Sequence, residues 1–116
     1  MTPPDATSEL FRMLADPTRR RILDLLASRG ESTVGELASE FPDLVASGIF
    51  KHLMALRSAD LVTATKAGRT QRYRLNAAVF SAALEPWLAH YELSFSDALA
   101  RSRRLAESDA TRSHDE

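Results

Sequence analysis

Apolar residues recur at helical spacing in the middle of the chain, most clearly over residues 46–58. Ile49, Leu53 and Leu56 stand at i, i+4 and i+7, so their side chains share one helix face that we expect to pack on a core. The opposite face carries Ser47, Lys51 and Met54. The pattern predicts a helix with one buried face and one free face.

Three shorter helices are predicted before this segment. The first begins near Ser8, the second runs from Pro17 to about Ala27, and the third begins at Val34. Asp16 precedes Pro17, a pair typical of a helix start, because Asp accepts bonds from free backbone N–H groups and Pro needs no donor there. The chain therefore opens with three helices ahead of the 46–58 helix.

The period changes from helical to alternating over about 61–75. Gly68 lies near the middle of this stretch, which predicts two antiparallel strands joined by a tight turn. In the second strand we expect Tyr73 to face the core, and Arg72 and Arg74 to face solvent. A helix followed by a basic hairpin predicts a winged helix-turn-helix.

The last predicted helix starts at Ala77 and contains Pro86, which predicts a kink or a break near residues 84–85. Beyond it large apolar side chains recur every four residues, with Leu88 beside them, and a single copy would leave this stripe in water. We therefore expect a homodimer whose interface contains Leu10, Leu14, Trp87, Tyr91, Phe95 and Leu99.

These elements predict a mainly α fold with a small antiparallel β-hairpin, in the order α-α-α-α-β-β-α. Residues 1–7 are expected to form a flexible arm, because they hold two prolines and few apolar residues. Residues 8–106 form one winged helix-turn-helix domain with dimerising first and last helices. Residues 107–116 contain no large apolar side chain, which predicts a disordered acidic tail.

Composition narrows the class of protein. The 116 residues are 44% apolar, which suits one domain, and the absence of cysteine excludes disulfides and thiolate metal sites. The sequence contains neither a signal peptide nor an apolar run near the roughly 20 residues that span a bilayer. We expect a cytoplasmic protein with no membrane partner.

Positive charge is concentrated in one segment, although the whole chain carries −1. Between Gly48 and Asn76 there are six basic side chains and one acid, Asp60, so this segment carries +5 and the rest of the chain −6. A basic turn beside a free helix face suits double-stranded DNA. The alternative is that these arginines form an ordinary solvated sheet face.

Four segments together resemble the ArsR family of bacterial transcriptional repressors: LADPTRRRILDLL (14–26), VGELA (34–38), IFKHLMALRSADLV (49–62) and AGRTQRYRLN (67–76). The resemblance covers roughly residues 8–100. It implies a homodimeric winged-helix protein that binds operator DNA through a pair of recognition helices and dimerises through its first and last helices. Each motif is weak alone, and their combination in this order is specific.

The chain departs from the family pattern at the family's metal sites. Metal-responsive members carry a Cys-Val-Cys-type motif where this chain has residues 34–38, so soft-metal sensing there is excluded. Other members bind zinc between their last helices; here His90 has Glu92 and Asp97 nearby, but His90 and Asp97 are two turns apart. We interpret His90 as a surface or interface residue, with a site shared across the dimer as the alternative. No metal and no cofactor is expected.

DNA contacts are expected from the N-terminal half of the 46–58 helix and from the hairpin tip. The candidates are Ser47, Gly48, Phe50, Lys51, His52, Met54, Arg57, Arg69, Thr70 and Arg72. Lys51 is the best candidate for a guanine edge, whereas Arg69 suits the DNA backbone or the minor groove.

Several residues have two interpretations. Phe50 and Met54 stand where the family more often shows Ser and Lys; Phe50 either packs in the core or touches a thymine methyl. Gly48 allows close approach either of DNA or of the preceding helix, and His52 either contacts a phosphate or packs between helices. The arginines at 19–21 open a helix against its dipole, which predicts ion pairs to Asp16, Asp24 or Glu9.

The sequence thus predicts a sequence-specific DNA-binding repressor that acts as a homodimer on a palindromic operator. A protein-binding winged helix without DNA contact and a zinc-responsive repressor are the alternatives. No Gly-rich phosphate loop, Ser/His/Asp set or carboxylate pair points to an enzyme.

Overall fold

The computed structural model describes residues 5–114, with side chains described for all of these except 93–95 and 109–114. The elements are α1 (Ala6–Leu14), α2 (Pro17–Arg29), α3 (Val34–Ala38), α4 (Ala46–Ser58), β1 (Val62–Ala67), β2 (Thr70–Leu75) and α5 (Ala77–His114). Their order is the predicted one, and the mainly α fold with an antiparallel hairpin is confirmed.

The chain divides into two compact units, the first ending at Leu84 and the second beginning at Glu85. The first unit holds α1 to α4, the hairpin and the start of α5, and the second holds the remainder of α5. The boundary lies next to Pro86, where the sequence predicts a kink or a break. The predicted break is wrong, since α5 continues through Pro86. A proline removes only one backbone donor from the helix.

The described helices extend beyond the predicted bounds of the domain, 8–106, on both sides. α1 begins at Ala6, because the Asp5 carboxylate caps it by accepting a 2.7 Å bond from the Ser8 backbone N–H. The arm predicted over 1–7 is therefore shorter, and residues 1–4 lie outside the described residues. α5 continues to His114 through the segment predicted to be disordered. That segment lacks both proline and glycine up to His114, so the preceding helix extends through it.

The core lies within the first unit and is built from every element of it. α4 contributes the predicted face, since Ile49, Leu53 and Leu56 are all fully buried. The remaining buried apolar residues are Leu10, Met13, Ile22, Leu23, Leu25, Leu26, Leu37, Leu61, Val62, Tyr73 and Ala83. Burying one face of α4 fixes the rotation of that helix and leaves its other face in solvent.

The start of α2 is capped by the side chain of Asp16. The Asp16 carboxylate accepts bonds from the backbone N–H groups of Thr18 and Arg19 at 2.9 and 3.1 Å. The Arg19 backbone bond is the largest cause that lowers the pKa of Asp16, and the nearby charges of His52 and Arg19 lower this pKa further. Asp16 thus acts as the predicted N-cap.

Salt bridges from the arginines at 19–21 to Asp16, Asp24 or Glu9 are not found among the described residues, although the charge of Arg19 helps to lower the pKa of Asp16. Arg19 donates to the backbone carbonyls of Met13 and Arg12, each at 3.1 Å, and Arg20 donates to the carbonyl of Leu14 at 3.0 Å. These carbonyls close α1 and have no partner within that helix, so they carry partial negative charge. The positive charges of Arg19 and Arg20 are unfavourable at the N-terminus of α2 but favourable at the C-terminus of α1.

The hairpin has a two-residue loop, Gly68-Arg69, between paired Ala67 and Thr70. Gly68 has φ 64°, a left-handed conformation that glycine adopts without strain and that such tight loops require. The backbones of Ser32 and Tyr73 exchange bonds of 3.0 and 2.8 Å. The hairpin is thereby tied to the segment ahead of α3, which holds the loop beside α3 and α4.

We predict that Asp16→Ala lowers the free energy of unfolding by about 1 kcal/mol near neutral pH, because two backbone donors lose their acceptor. The pKa of Asp16 is lowered in the folded state, so the cap stabilises fully above the ordinary aspartate pKa and is lost as pH falls through the folded pKa. Urea denaturation should show the wild-type advantage over Asp16→Ala shrinking in acid. Asp16→Asn is the control, because its amide oxygen caps without titrating. A gap that did not change with pH would contradict the charged cap.

Candidate nucleic-acid interface

The free face of α4 is basic and contains no acidic side chain. Ser47 and Lys51 lie on it and are exposed, as the sequence predicted, and Arg57 is exposed on the flank of the helix, six residues after Lys51. These side chains keep their donors available because the core takes the opposite face. A polyanion meets no carboxylate on this helix.

The N-terminal end of α4 lacks the usual cap. Val45 occupies the N-cap position, and no side chain bonds the free N–H groups of the first turn. Val45 is 71% exposed, so core packing does not explain the apolar residue. The first-turn N–H groups therefore carry partial positive charge at the exposed end of the helix.

Gly48 faces open space. A methyl group built on its Cα would meet no atom within 4 Å, and its φ is not positive. Close approach of the preceding helix, one of the two explanations for this glycine, is therefore wrong. Approach of DNA to this glycine stays a prediction.

Phe50 does not pack in the core, which settles the first of its two alternatives. Its side chain is 45% exposed. It lines a recess of about 490 Å³ between α3, α4 and the hairpin, whose other lining residues are Thr33, Val34, Gly35, Met54, Arg57, Thr70, Gln71 and Tyr73. Phe50 thus presents an apolar surface beside the basic face of α4.

Two other candidates on α4 point partly toward the protein. Met54 is half-buried and packs against the core, which limits what it offers to DNA. His52 is half-buried, and its charge contributes to the lowered pKa of Asp16, which places it near the N-terminus of α2. This position favours helix packing for His52 over a phosphate contact.

The loop of the hairpin is exposed and basic. Lys66, Arg69 and Arg74 all lie in solvent. The Thr70 hydroxyl donates to the Ala67 carbonyl at 3.0 Å, so it braces the loop. Arg69 is exposed as the second residue of this two-residue loop.

Arg72 is less free than predicted. Its guanidinium lies 4.0 Å from a carboxylate oxygen of Glu36, and both side chains are about half exposed. Glu36 also belongs to the capping box with Thr33 that starts α3. This ion pair could not be predicted from the sequence, because Glu36 and Arg72 are far apart in the chain. The Thr-x-x-Glu spacing predicts only the helix cap.

The apolar stripe predicted on α5 is exposed where it is described. The rings of Trp87 and Tyr91 contact each other at a tilt of 53° with centroids 5.4 Å apart, and both are partly exposed. Leu88 and Leu99 are exposed as well, whereas the side chain of Phe95 lies outside the described residues. The second unit thus exposes several large apolar side chains at the described positions of the predicted stripe.

The contribution predicted from α1 to a dimer interface needs correction. Leu10 is only 1% exposed and belongs to the core, so it has no surface to offer a second copy. Leu14 is half-buried and also packs on the core. The exposed large apolar residue of α1 is Phe11, which the sequence analysis did not select.

His90 packs its ring against the edge of Tyr91, with centroids 5.0 Å apart. Among the described residues, no three His, Asp or Glu side chains come together as a metal site requires. In the same part of the chain, no helix has both the length and the apolar character needed to cross a bilayer. The aromatic contact agrees with His90 as a surface or interface residue.

Known proteins share this architecture. Residues 14–64 match a family model described as a helix-turn-helix domain. The transcriptional repressor SdpR of Bacillus subtilis is 32% identical over 84 residues, which are 72% of this chain and 90% of that protein. A crystal structure of an ArsR family transcriptional regulator has a TM-score of 0.66 and 35% identity, covering 82% of this chain and 95% of that one. This chain belongs to the ArsR family.

A third relative is described as a metal sensor. The regulator CmtR of Mycobacterium tuberculosis is 46% identical over 70 residues, 60% of this chain and 58% of that protein. Its solved structure, a cadmium metal sensor, has a TM-score of 0.52. The chain thus spans most of SdpR but less than two thirds of CmtR. The ArsR family resemblance seen in the sequence is confirmed, and the chain is a DNA-binding transcriptional regulator from a family whose members named above are regulators.

We predict that Gly48→Ala raises the free energy of unfolding by about 0.5–1 kcal/mol, because alanine favours a helix and the added methyl meets open space. The same methyl should weaken DNA binding if DNA approaches this point. Denaturation and fluorescence anisotropy with a labelled duplex measure the two effects. Ser58→Ala, at the far end of α4, is the control and should leave DNA affinity unchanged. Full DNA affinity in Gly48→Ala would move the DNA away from this glycine.

Proposed function

We propose that this ArsR-family regulator is a repressor that binds a palindromic operator as a homodimer, with α4 in the major groove. The observation that carries the proposal is the free face of α4, which is basic, acid-free and exposed, together with the exposed basic hairpin. A duplex presents phosphates on both sides of its major groove, so positive charge is needed on either side of the inserted helix.

The two parts of the interface have different tasks in this proposal. Lys51 lies in the N-terminal half of α4 and reads a guanine edge, with Ser47 beside it. Arg69, in the hairpin loop, and Arg57, late in α4, contact phosphates or the minor groove. Phosphate contacts set affinity and base contacts set sequence preference.

Dimerisation is part of the proposal because one winged helix offers few base contacts. Two copies related by a two-fold axis read two half-sites about one helical turn, roughly 34 Å, apart. The exposed stripe with Trp87, Tyr91 and Leu99 supports α5 as the element that joins the copies. A two-fold axis pairs such a stripe with its own copy.

The chain also differs from CmtR in what it can sense. It has no cysteine, so thiolate ligands for cadmium are absent from the sequence. We propose that its signal, if it has one, is not a soft metal.

The alternative of a protein-binding winged helix predicts binding with weak salt dependence, whereas DNA binding weakens steeply with salt as counterions are released.

We predict different effects for the two basic side chains. Arg69→Ala should weaken binding to cognate and scrambled duplexes alike and lower the salt slope by about one unit per protomer, because a phosphate contact carries no sequence information. Lys51→Ala should reduce discrimination by about 1–3 kcal/mol at one base pair of each half-site. Anisotropy titrations over a salt series measure both. Arg103→Ala, an exposed arginine on α5, is the matched control. An unchanged salt slope in Arg69→Ala would remove the loop from the interface.

We predict that Tyr91→Asp yields monomers and abolishes operator binding, since a carboxylate within the apolar stripe would be desolvated on dimerisation. Sedimentation velocity at micromolar concentration gives the oligomeric state. Ala100→Asp is the control, because nine residues place it on the opposite side of α5 from Tyr91. If Tyr91→Asp stayed dimeric, the interface would lie elsewhere; a monomeric wild type would remove the dimer from the proposal.

We predict that one equivalent of cadmium or zinc leaves operator affinity unchanged, because the chain has no thiolate and its His90 ring packs on Tyr91. The measurement is an anisotropy titration with and without chelator. A tenfold loss of affinity on adding zinc would instead favour an intersubunit site that includes His90 and Asp97.

A further inference from the structure

The N-terminal end of α4 exposes more apolar surface than its fold requires. Leu44, Val45 and Phe50 are all exposed large apolar residues, and none of them belongs to the core. A lone exposed apolar side chain is ordinary, but three within seven positions are unusual. Leu44 lines a different recess from Phe50, beside Pro17 and Thr18, so the apolar patch at this end of α4 consists of Val45 and Phe50. This patch lies where the proposed function puts the floor of the major groove.

The hydrogen-bonding groups of the same segment are few. Over residues 44–51, the side chains that donate or accept are those of Ser47 and Lys51, and the segment has no Asn, Gln or Arg. Lysine suits guanine, and the bidentate reading of adenine needs Asn or Gln. An A·T pair is therefore left to be recognised by its other major-groove feature, the thymine 5-methyl group.

Two residues in this segment lower the stability of the helix, and no contact within the described fold compensates for the loss. Val45 stands at an N-cap that Ser, Thr or Asp would stabilise, and Gly48 stands in the first turn with open space around it. Residues that break a local folding rule without compensation within the fold tend to mark functional surfaces. A small residue at 48 lets a surface approach the backbone, and apolar residues at 45 and 50 lie on either side of it in sequence.

The positive charge near these apolar residues indicates which kind of partner they bind. Lys51 neighbours Phe50 in sequence, Arg57 lines the same recess as Phe50, and α4 carries no acid. An apolar protein partner or a neutral ligand would gain nothing from these cations. A nucleic-acid duplex offers both a negative backbone and, at thymine, a methyl group in the groove.

We propose that Phe50, assisted by Val45, recognises thymine methyl groups in the operator, so that each half-site places thymine next to the guanine read by Lys51. The inference rests on the proposed function and adds a chemical class of base to it. Apolar contact then supplies the A·T part of the sequence preference, and hydrogen bonding the G·C part.

The test compares thymine with uracil, which lacks only the methyl group. The full-length chain first selects its preferred duplex from a random library. That duplex is then made with deoxyuridine in place of thymidine within both half-sites, and in a control duplex only outside them. Binding of each duplex is measured for the wild type, Phe50→Ala, Phe50→Leu and Val45→Thr. Thermal unfolding of each variant controls for folding, and it should change little for Phe50→Ala because Phe50 lies outside the core.

The wild type should bind the uracil duplex about fifteenfold more weakly, if one methyl is buried in each half-site at about fourfold each. Phe50→Ala should bind the thymine duplex as weakly as wild type binds the uracil one, and should hardly distinguish the two. Phe50→Leu should keep most of the preference, and Val45→Thr should reduce it. The control duplex should bind like the thymine duplex.

Other outcomes overturn the inference. Equal wild-type binding to both duplexes removes methyl recognition and leaves the DNA-binding proposal intact. An equal loss in wild type and Phe50→Ala assigns the methyl to another residue. If selection enriches no sequence, sequence-specific binding itself fails, and the inference fails with it.

Discussion

The burial of one face of α4 is the constraint on which the rest of this molecule depends. Ile49, Leu53 and Leu56 are fully buried, and at roughly 2 kcal/mol per side chain their burial fixes the rotation of the helix in a chain of marginal stability. Every residue between them is then assigned to the free face or to a flank. The same packing sets Lys51 in solvent and brings Phe50 against the recess beside the hairpin.

The segment LADPTRRR shows that a family motif can be structural. Asp16 caps α2, while Arg19 and Arg20 close the carbonyl end of α1. This exchange holds α1 and α2 at a sharp turn and makes the basic cluster part of the scaffold. Basic residues are therefore used in two ways in this chain: those at 19 and 20 satisfy backbone carbonyls, whereas those on α4 and the hairpin loop remain exposed for an outside anion.

Much of this arrangement follows from the sequence because it depends on periodicity and turn chemistry. The bounds of α4 and the Gly68 turn were predictable, since the helical and alternating periods leave little choice. The partners of Arg19 were not, because backbone carbonyls leave no mark in a pattern of side chains. The burial of Leu10 and the pairing of Arg72 with Glu36 depend on contacts distant in sequence, which no local window contains. The helix from residue 107 to His114 was not predicted. A segment without large apolar residues makes no core contacts, but it can still be helical.

The recognition end of α4 is a compromise between folding and binding. A polar N-cap and an alanine at position 48 would stabilise the helix in isolation, yet the chain has Val45 and Gly48 there. The buried face of α4 tolerates this loss because tertiary packing, rather than end-capping, supplies most of a short helix's stability in a folded domain. The exposed residues at the end of the helix are consequently less constrained by the fold, while the buried face and the LADPTRRR turn hold the helix in position. Substitution at the exposed positions of this end, such as 45, 47, 50 and 51, should therefore change the fold little, whereas Ile49 belongs to the core.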